Sequence, residues 1–536
     1  QVPRGRRDTE LNREIDDKVF SKDVSTPIVN PTIVKKSSDP KNDSLGFEHR
    51  DDSKDNITIN YHFLDAVKKN NLDSTIDDFS SYFPVPHNYI YLGNNGAAAA
   101  PLVFEPNKKI GFDPGFHAFD VYKLTLEGTK FYNTSKAFSN LSYQLASGKE
   151  QMLKAGVTKN IKPNFNLGFD YRLINAPGFF VSQNTNHNAY RIFGNYRGKR
   201  KRYGIEFSLV GNNIRASENG GIQSVEYLYD PYRKNRFAVP VNLGGLSAYK
   251  NSPFLTTVTT GNQQKDFNLL FRQSYDLGKR DSVQLNDTTT EYLFYPKLRF
   301  QYTFGYSKQS YQYVDNVADS TVYNNWYQLH LTSAISKILI NENWRIINND
   351  FSLVQFPDTK NTSQYFLAGA TVQNISGGSD SLQNNFHNLF IHGEYRNLSK
   401  NKLWDLLLKG SYYLNGLNSG DYEIQASMSR FLNKKMGDVG IYFYNFNRTP
   451  SFIFDNRSAF NLGNINSFKK ENSITIGVKS NNKILNDFGL KFKPPTFTFE
   501  SYIELKLKKY EKTIIKCSNW CNGTNSFCTN ISWNLC

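Results

Sequence analysis

The stretch LRFQYTFGY at residues 298–306 alternates strictly between apolar and polar side chains. One set of alternate positions holds Leu298, Phe300, Tyr302, Phe304 and Tyr306, and the other holds Arg299, Gln301, Thr303 and Gly305. Successive side chains of a strand point to opposite faces of its sheet, so the stretch predicts a strand with one apolar and one polar face. In a soluble sandwich the apolar face would pack into a core. In an outer-membrane barrel it would meet lipid, and the polar face would line the lumen.

The same pattern recurs in about 17 segments between residues 137 and 508. Most of them keep one apolar face for about nine residues or more, the length that a tilted strand needs to cross a bilayer. Trp326, Trp344, Trp404 and Tyr422 stand near segment ends, where an aromatic girdle would meet the membrane interface. We therefore predict an all-β fold, a closed antiparallel transmembrane β-barrel of about 16–18 strands with a disordered N-terminal arm.

The composition agrees with transmembrane strands but does not require them. Phe, Tyr and Trp make up 15% of the chain, whereas the mean hydropathy is −0.56. Lumen-facing polar residues would dilute the lipid-facing ones in this way, although a large secreted all-β protein would give a similar average. No run of about 18 apolar residues is present, so no transmembrane helix is predicted. The first residues, QVPRGRRD, lack an apolar leader, as in an exported chain after cleavage or in a cytoplasmic protein.

The net charge of +16 does not indicate nucleic-acid binding. Lys and Arg are scattered along strands and turns, and they do not cluster on a recognisable nucleic-acid module. Residues 1–60 contribute 11 Lys and Arg and 12 Asp and Glu to totals of 64 and 48, so the positive excess lies in the remainder.

The chain divides into four predicted regions. These are a flexible polar N-terminal arm over 1–80, a Gly/Ala-rich entrance or plug-like segment over 81–136, the transmembrane barrel over 137–508 and an atypical Cys-rich tail over 509–536. The arm is assigned because Phe20 and Phe47 are the only aromatic residues among the first sixty, too few to anchor a core. Two local predictions are a short helix at 63–78 and a weaker strand at 326–335.

Two motifs carry a resemblance to a known family. The first is YIYLGNNGAAAAPLVF at 89–104, and the second is the tyrosine-rich FDVYKLTLEGTKFYNTSKAFSNLSYQLASGKEQ at 119–151. In their order and spacing they resemble the entrance of the putative porin family of the Bacteroidota. The resemblance implies an outer-membrane β-barrel in contact with outer-membrane lipid, and a channel for small polar solutes.

The first motif also has a physical interpretation of its own. Gly93, Gly96 and the four alanines at 97–100 have minimal side chains, which would allow close approach to another surface. The segment could pass along or plug the inner wall of a barrel. A plain linker with a weak helical turn is the alternative.

The tail departs from the family pattern. Residues 509–536 contain all four cysteines of the chain, Cys517, Cys521, Cys528 and Cys536, and the alternation stops there. Three interpretations stay open: sequence that is not native to the family, a small disulfide knot, and a zinc site. The intervals between the cysteines match no common zinc finger.

No signature of catalysis or of a cofactor is found. The common phosphate, dinucleotide, zinc-protease and hydrolase motifs are absent, so we predict no enzyme, no cofactor, no metal and no catalytic residue. His187 with Asp170 is the pair that a barrel-embedded hydrolase could use. Ordinary polar lumen or loop residues are the alternative for both.

The predicted function is passive diffusion of small polar solutes through an outer-membrane porin-like channel with a weak anion preference. Alternatives are a non-conducting barrel that acts as a scaffold or docking partner in a secretion or uptake assembly, and a barrel-embedded hydrolase; no protein partner is identified. The candidate lumen-lining residues are Asp170, Arg172, Glu206, Arg272, Arg299, Gln301, Thr303, Glu394, Arg396 and Lys409, and the candidate lipid-facing residues are those of the apolar set in 298–306.

Overall fold

The structure is a computed structural model of the 536-residue chain. It describes residues 59–65, 70–71, 83–102, 107–232, 235–244, 258–286, 289–327, 335–433, 437–461, 469–481, 496–502 and 514–517. Most of the predicted N-terminal arm and most of the Cys-rich tail lie outside the described residues, as does the larger part of the helix predicted at 63–78.

The described chain is dominated by one antiparallel sheet whose strands follow one another in chain order, from β6 to β21. Its fourteen longer strands are β6 (Phe138–Ala146), β7 (Glu150–Lys162), β8 (Phe165–Ala176), β9 (Thr185–Arg197), β10 (Tyr203–Ser217), β11 (Thr260–Asn286), β12 (Thr289–Asp319), β13 (Ile335–Gln355), β14 (Gln364–Gly378), β15 (Gln383–Leu398), β16 (Trp404–Gly416), β17 (Tyr422–Asn433), β18 (Gly437–Arg448) and β19 (Glu471–Asn481). Two short strands, β20 (Thr496–Tyr502) and β21 (Ile514–Cys517), complete it. In the described part of the chain, β6 pairs only with β7 and β21 only with β20.

The remaining elements are small. Strands β1 (Ile59–His62), β2 (Asn70–Asn71) and β5 (Phe131–Thr134) form a three-stranded sheet, and β3 (Tyr89–Tyr91) pairs with β4 (Ala99–Pro101). Helix α1 spans Ser320–Tyr327, and short 3-10 helices span Asp120–Tyr122, Ser147–Lys149, Val225–Leu228, Arg236–Ala238 and Phe452–Phe454. Among the residues described, no helix is both long and apolar enough to cross a membrane.

The stretch at 298–306 lies in the middle of β12, and its neighbours repeat its alternation. Phe300 is opposite Tyr275 of β11 and Leu353 of β13, and the Phe300 side chain is 47% exposed. Arg299, on the other face, is opposite Asp276. We call the face of the large sheet that carries Phe300 the apolar face and the one that carries Arg299 the polar face. Further exposed residues of the apolar face are Phe351, Ile391, Tyr412, Ile441 and Ile476.

The large sheet is strongly curved around its polar face. Asp113 forms an ion pair with Arg448 at the end of β18, while Phe116 stacks on Tyr311 of β12 at 4.0 Å between ring centroids. Six strand spacings would separate β12 from β18 by about 29 Å in a flat sheet. Three residues of extended chain reach only about 11 Å. The short separation of these two contacts along the chain indicates that the sheet bends towards its polar face.

Three local predictions differ from the structure. The weak strand predicted at 326–335 is wrong at Trp326, which lies in α1, whereas Ile335 is the first residue of β13. Within the predicted helix at 63–78, Asn70–Asn71 pairs with β1 as strand β2. Pairing of β1 with β5 also begins at Ile59, inside the region assigned to the flexible arm.

Trp344 does not belong to an exposed girdle. Its side chain is 1% exposed and lies on the polar face, 4.7 Å from Phe112 and 4.7 Å from Phe452 between ring centroids. An aromatic residue near a strand end is equally suited to packing against a segment that covers the polar face. The sequence did not distinguish these two environments. Trp404, at the start of β16, is 39% exposed, and its place in a girdle stays a prediction.

Candidate functional site

The candidate site is the polar face of the large sheet together with the chain that lies on it. We call residues 83–102 and 107–136 the inner segment. It contacts strands along most of the sheet, from Asn160 of β7 through Ser208 of β10 to Arg448 of β18. These contacts all involve side chains of the polar face.

The LGNNGAAAA motif of the inner segment docks where β8 and β9 are joined. The side-chain Nδ2 of Asn94 donates a hydrogen bond to the backbone carbonyl of Gln183 at 2.6 Å. His187 Nε2 donates to the Gly96 carbonyl at 2.6 Å, and its Nδ1 accepts the backbone N–H of Arg215 at 3.2 Å. Gly96 has a φ of +89°, and an added Cβ would lie 2.7 Å from His187 Nε2. Glycine is therefore required for this close approach.

A chain of charged side chains crosses the polar face from β18 to β11. We call it the charge chain; its members in order are Arg448, Asp113, His117, Asp120, Lys123 and Asp266. The successive nitrogen–oxygen distances are 3.0, 3.0, 2.7, 2.9 and 3.2 Å. The four middle residues belong to the inner segment, and the two ends belong to the sheet. The inner segment is thus tied to two strands that are seven positions apart in the sheet order.

The β18 end of the charge chain is the most buried part. The side chains of Arg448 and Asp113 are 1% and 3% exposed. Ser451 Oγ donates to Asp113 Oδ2 at 2.7 Å and accepts from Arg448 Nη2 at 2.8 Å. Buried charges are tolerated only when they are paired and hydrogen-bonded, and both conditions are met here.

The same contacts change the ionisation of the inner segment. Burial alone would raise the pKa of the Asp113 carboxyl, but hydrogen bonds from His117 and Ser451 and the charges of His117 and Arg448 lower that pKa well below its usual range. Hydrogen bonds to Asp113 and Asp120 raise the pKa of His117 to about 9. His117 is therefore a cation at neutral pH and bridges two carboxylates.

Aromatic rings flank the charge chain. Phe112 and Phe452 pack on Trp344, and Phe116 contacts Phe460 at 4.8 Å as well as Tyr311. Rings in these positions exclude water from the buried β18 end of the charge chain. Attraction between its charges is stronger there than at an open surface, because the local dielectric constant is lower.

The ten residues predicted to line a lumen all lie on the polar face. They do not form one cluster, because they are distributed from β8 to β16. Cross-strand register does bring some together: Arg272 is opposite both Glu206 and Thr303, and Glu394 is opposite Lys409.

Each of the five basic residues in that set has an oxygen partner. Arg172 donates to the carbonyl of Tyr122, Arg272 to Asp65 at 2.8 Å, Arg299 to Asp276 at 2.6 Å and Arg396 to Asp405 at 2.8 Å, and Lys409 lies 3.2 Å from Glu423. Asp170 accepts from Arg191 at 2.6 Å, Glu206 lies 3.0 Å from His62, and Glu394 accepts from the Tyr365 hydroxyl. Gln301 is part-buried on the same face.

The five predicted lipid-facing residues all lie on the apolar face of β12. Phe300 is exposed, and the other four are half-buried against neighbouring strands. Tyr302, for example, lies 4.8 Å from Phe351 between ring centroids, and Tyr306 lies 6.2 Å from Phe267.

The structure does not unite the residues considered for hydrolysis. His187 uses both ring nitrogens on backbone groups, and Asp170 is paired with Arg191. Within the described ranges, no group of three or more His, Cys, Asp or Glu side chains is arranged to bind a metal ion. For the Cys-rich tail, Cys521, Cys528 and Cys536 lie outside the described residues.

Sequence reasoning missed the charge chain. The signal is present in GFDPGFHAFDVYK at 111–123, where acidic and basic residues alternate at intervals of four, three and three. Such spacing is common on solvated surfaces, however, and neither Arg448 nor Asp266 is near it in the sequence.

Comparison with known proteins places the chain in a family. Residues 57–502 match the family described as "Putative porin". The chain is therefore a protein of the bacterial outer membrane, and it belongs to the putative porin family. No curated protein sequence matches it.

Solved structures that are similar to the chain include three receptors. A mutant of the ferric enterobactin receptor PfeA from Pseudomonas aeruginosa is 8% identical with a TM-score of 0.39, over 68% of this chain and 53% of that one. The siderophore receptor PirA from Acinetobacter baumannii is 9% identical with a TM-score of 0.38, and the match covers 73% of this chain and 56% of that one. The ferric-catecholate import receptor Fiu from E. coli K12 is 11% identical with a TM-score of 0.39, and the match covers 76% of this chain and 65% of that one. The chain thus spans little more than half the length of the first of these structures.

We expect His117 to titrate near pH 9 instead of near 6.5. Because its folded pKa exceeds its unfolded value, its stabilising contribution is fully present below about pH 6.5 and is lost as the pH rises towards about 9. NMR titration of histidine-labelled protein in detergent micelles measures the pKa, and unfolding midpoints across this range measure the stability. The His117→Gln variant is the control and should lose this part of the pH dependence. A His117 resonance that titrates near 6.5 would contradict the assigned contacts.

Proposed function

We propose that the large sheet closes into a transmembrane barrel of about 16–18 strands, with the apolar face towards lipid, the polar face around a lumen and the inner segment as a plug inside it. Three observations support this. The sheet bends round the inner segment, its apolar face exposes large side chains strand after strand, and its polar face contains charges in pairs. In lipid, open sheet edges leave backbone groups unpaired at a cost of several kcal/mol each, which favours closure.

The function that this geometry supports best is passive diffusion of small polar solutes through the lumen beside the inner segment. The observation that carries the proposal is a large sheet with one continuous polar face and one apolar face, in a member of the putative porin family. Barrels of about 16–18 strands enclose a lumen wide enough for water. The inner segment narrows that lumen, so conduction would be restricted to small solutes.

A weak anion preference is part of the proposal. After the first sixty residues the chain contains 53 Lys and Arg against 36 Asp and Glu, by subtraction of 11 and 12 from totals of 64 and 48. A charged side chain on the lipid-facing side of a transmembrane strand is energetically costly, so the charged residues of the strands should face the lumen. Because every basic residue of the predicted lumen set has an oxygen partner, the field on a permeating ion is small.

The second candidate is a non-conducting barrel that serves as a scaffold or docking partner in a secretion or uptake assembly. The observation that favours it is the inner segment itself, which contacts strands from β7 to β18 and is tied down by buried charges. A catalytic role has no comparable support, since the pair considered for hydrolysis is separated.

Single-channel conductance in a planar bilayer distinguishes the two candidates. We expect the wild type to conduct weakly, and the double variant Asp113→Asn with Arg448→Gln to conduct more, because the plug loses its buried ion pair. The matched control is Asp358→Asn with Lys400→Gln, which removes an ion pair of 2.6 Å between two turns and should leave the conductance unchanged. If neither wild type nor double variant conducts, the scaffold function is favoured.

The reversal potential under a salt gradient tests the selectivity. We expect a small anion preference that shifts towards cations in Lys409→Glu, because Lys409 lies on the polar face next to Glu423. Lys400→Glu makes the same charge change in an exposed turn and should have little effect. A cation-selective wild type, or equal shifts in both variants, would show that the polar-face residues do not set the selectivity.

Arginine substitutions on neighbouring residues test which face meets lipid. Phe300→Arg should destabilise the membrane-inserted protein by about 2–4 kcal/mol if the site is at the bilayer midplane, whereas Gln301→Arg should have a smaller effect. The free energy of unfolding from lipid vesicles is measured for both variants under the same conditions. Equal destabilisation, or a larger loss for Gln301→Arg, would argue for a soluble sandwich.

A further inference from the structure

A cavity of about 550 Å³ lies on the polar face, away from the charge chain. One side is formed by the small three-stranded sheet, through His62 of β1 and Tyr132 of β5. The other side is formed by β7 to β12 near the short links at Asn164 and after Arg197. Its volume is in the range of about 300–1,000 Å³ that is usual for small-molecule sites.

Asparagine side chains dominate the lining. They are Asn60, Asn133, Asn160, Asn164, Asn166 and Asn195. Three of them form a ladder: Asn166 Nδ2 donates to Asn160 Oδ1 at 2.7 Å, and Asn160 Nδ2 donates to Asn133 Oδ1 at 2.9 Å. Asn160 Oδ1 accepts from Thr134 as well, but each amide nitrogen has two N–H donors and the ladder uses only one from Asn166 and one from Asn160. Asn195 Oδ1 is buried and accepts no hydrogen bond from the described residues.

Three arginines and one glutamate are the charged residues of the lining, Arg197, Arg272, Arg299 and Glu206. Arg299 binds Asp276 through two hydrogen bonds of 2.6 and 3.0 Å, and Arg197 binds the same carboxylate at 2.6 Å. Two guanidinium groups thus share one carboxylate, which is itself 0% exposed, while Arg197 is 42% exposed. Arg272 pairs with Asp65, and Glu206 Oε1 lies 3.0 Å from His62 Nε2.

We propose that this cavity binds a sugar acid, a small hydroxylated solute with one carboxylate. Amide groups donate to and accept from hydroxyls in both directions, and an arginine guanidinium binds a carboxylate through parallel hydrogen bonds. A neutral sugar would not use the exposed guanidinium of Arg197, and a simple carboxylate would leave the amides unused. The proposal rests on the proposed function, in that the cavity would be a solute subsite on the path through the lumen.

Equilibrium binding tests the subsite without any current. Glucuronate, glucose and acetate are titrated into detergent-solubilised full-length protein and followed by saturation-transfer NMR. We expect saturable binding of glucuronate, about tenfold or more tighter than that of glucose, from one charge-assisted contact. Arg197→Gln should abolish this difference while Asp276 keeps both of its hydrogen bonds to Arg299. Arg345→Gln, on β13 outside the cavity, is the matched control.

Three results would overturn the inference. They are no saturable binding of glucuronate, equal affinity for glucuronate and glucose in the wild type, and an unchanged preference in Arg197→Gln. Because binding is measured in solution, a barrel that fails to conduct would refute the channel and leave this result interpretable. Conversely, a conducting barrel without glucuronate binding would refute only the subsite.

Discussion

The ion pair between Arg448 and Asp113 is the contact on which the position of the inner segment depends. Both side chains are almost completely buried, and either one without the other would destabilise the fold by about 3–5 kcal/mol. From this pair the charge chain continues through His117 and Lys123 to β11. The polar face is therefore covered by a segment of the same chain that supplies partners for its charges, in contrast to a face that is simply left to solvent.

The two faces of the large sheet have opposite requirements. On the apolar face, large side chains such as Phe300 and Phe351 remain exposed, a costly arrangement in water and a favourable one in lipid. On the polar face, charges such as Asp276 are completely buried but have partners. A soluble sandwich would bury the first set and expose the second. The distribution of exposure is the reverse of that, and it agrees with membership of a family of the outer membrane.

Where sequence reasoning failed, the competing environments were chemically alike. Trp344 near a strand end suited both a membrane girdle and an aromatic cluster, and Phe112, which selects the cluster, is more than 200 residues away in the sequence. Trp326 continued an aromatic pattern but lies in α1. The motif LGNNGAAAA was correctly seen as suited to close approach, yet its contact with His187 depends on the β8–β9 connection.

The sequence by itself determined the strands, their two faces and the family. A period of two residues is a local property, and it assigns Arg299 and Phe300 to opposite faces whatever the rest of the chain does. Only the tertiary structure decided which polar groups meet. Asp113 and Arg448 are brought together across 335 residues by the curvature of the sheet, and Arg197 reaches Asp276 across 79. Such pairings depend on register and curvature over many strands, because a charge in the sequence can be satisfied equally well by water or by any nearby partner.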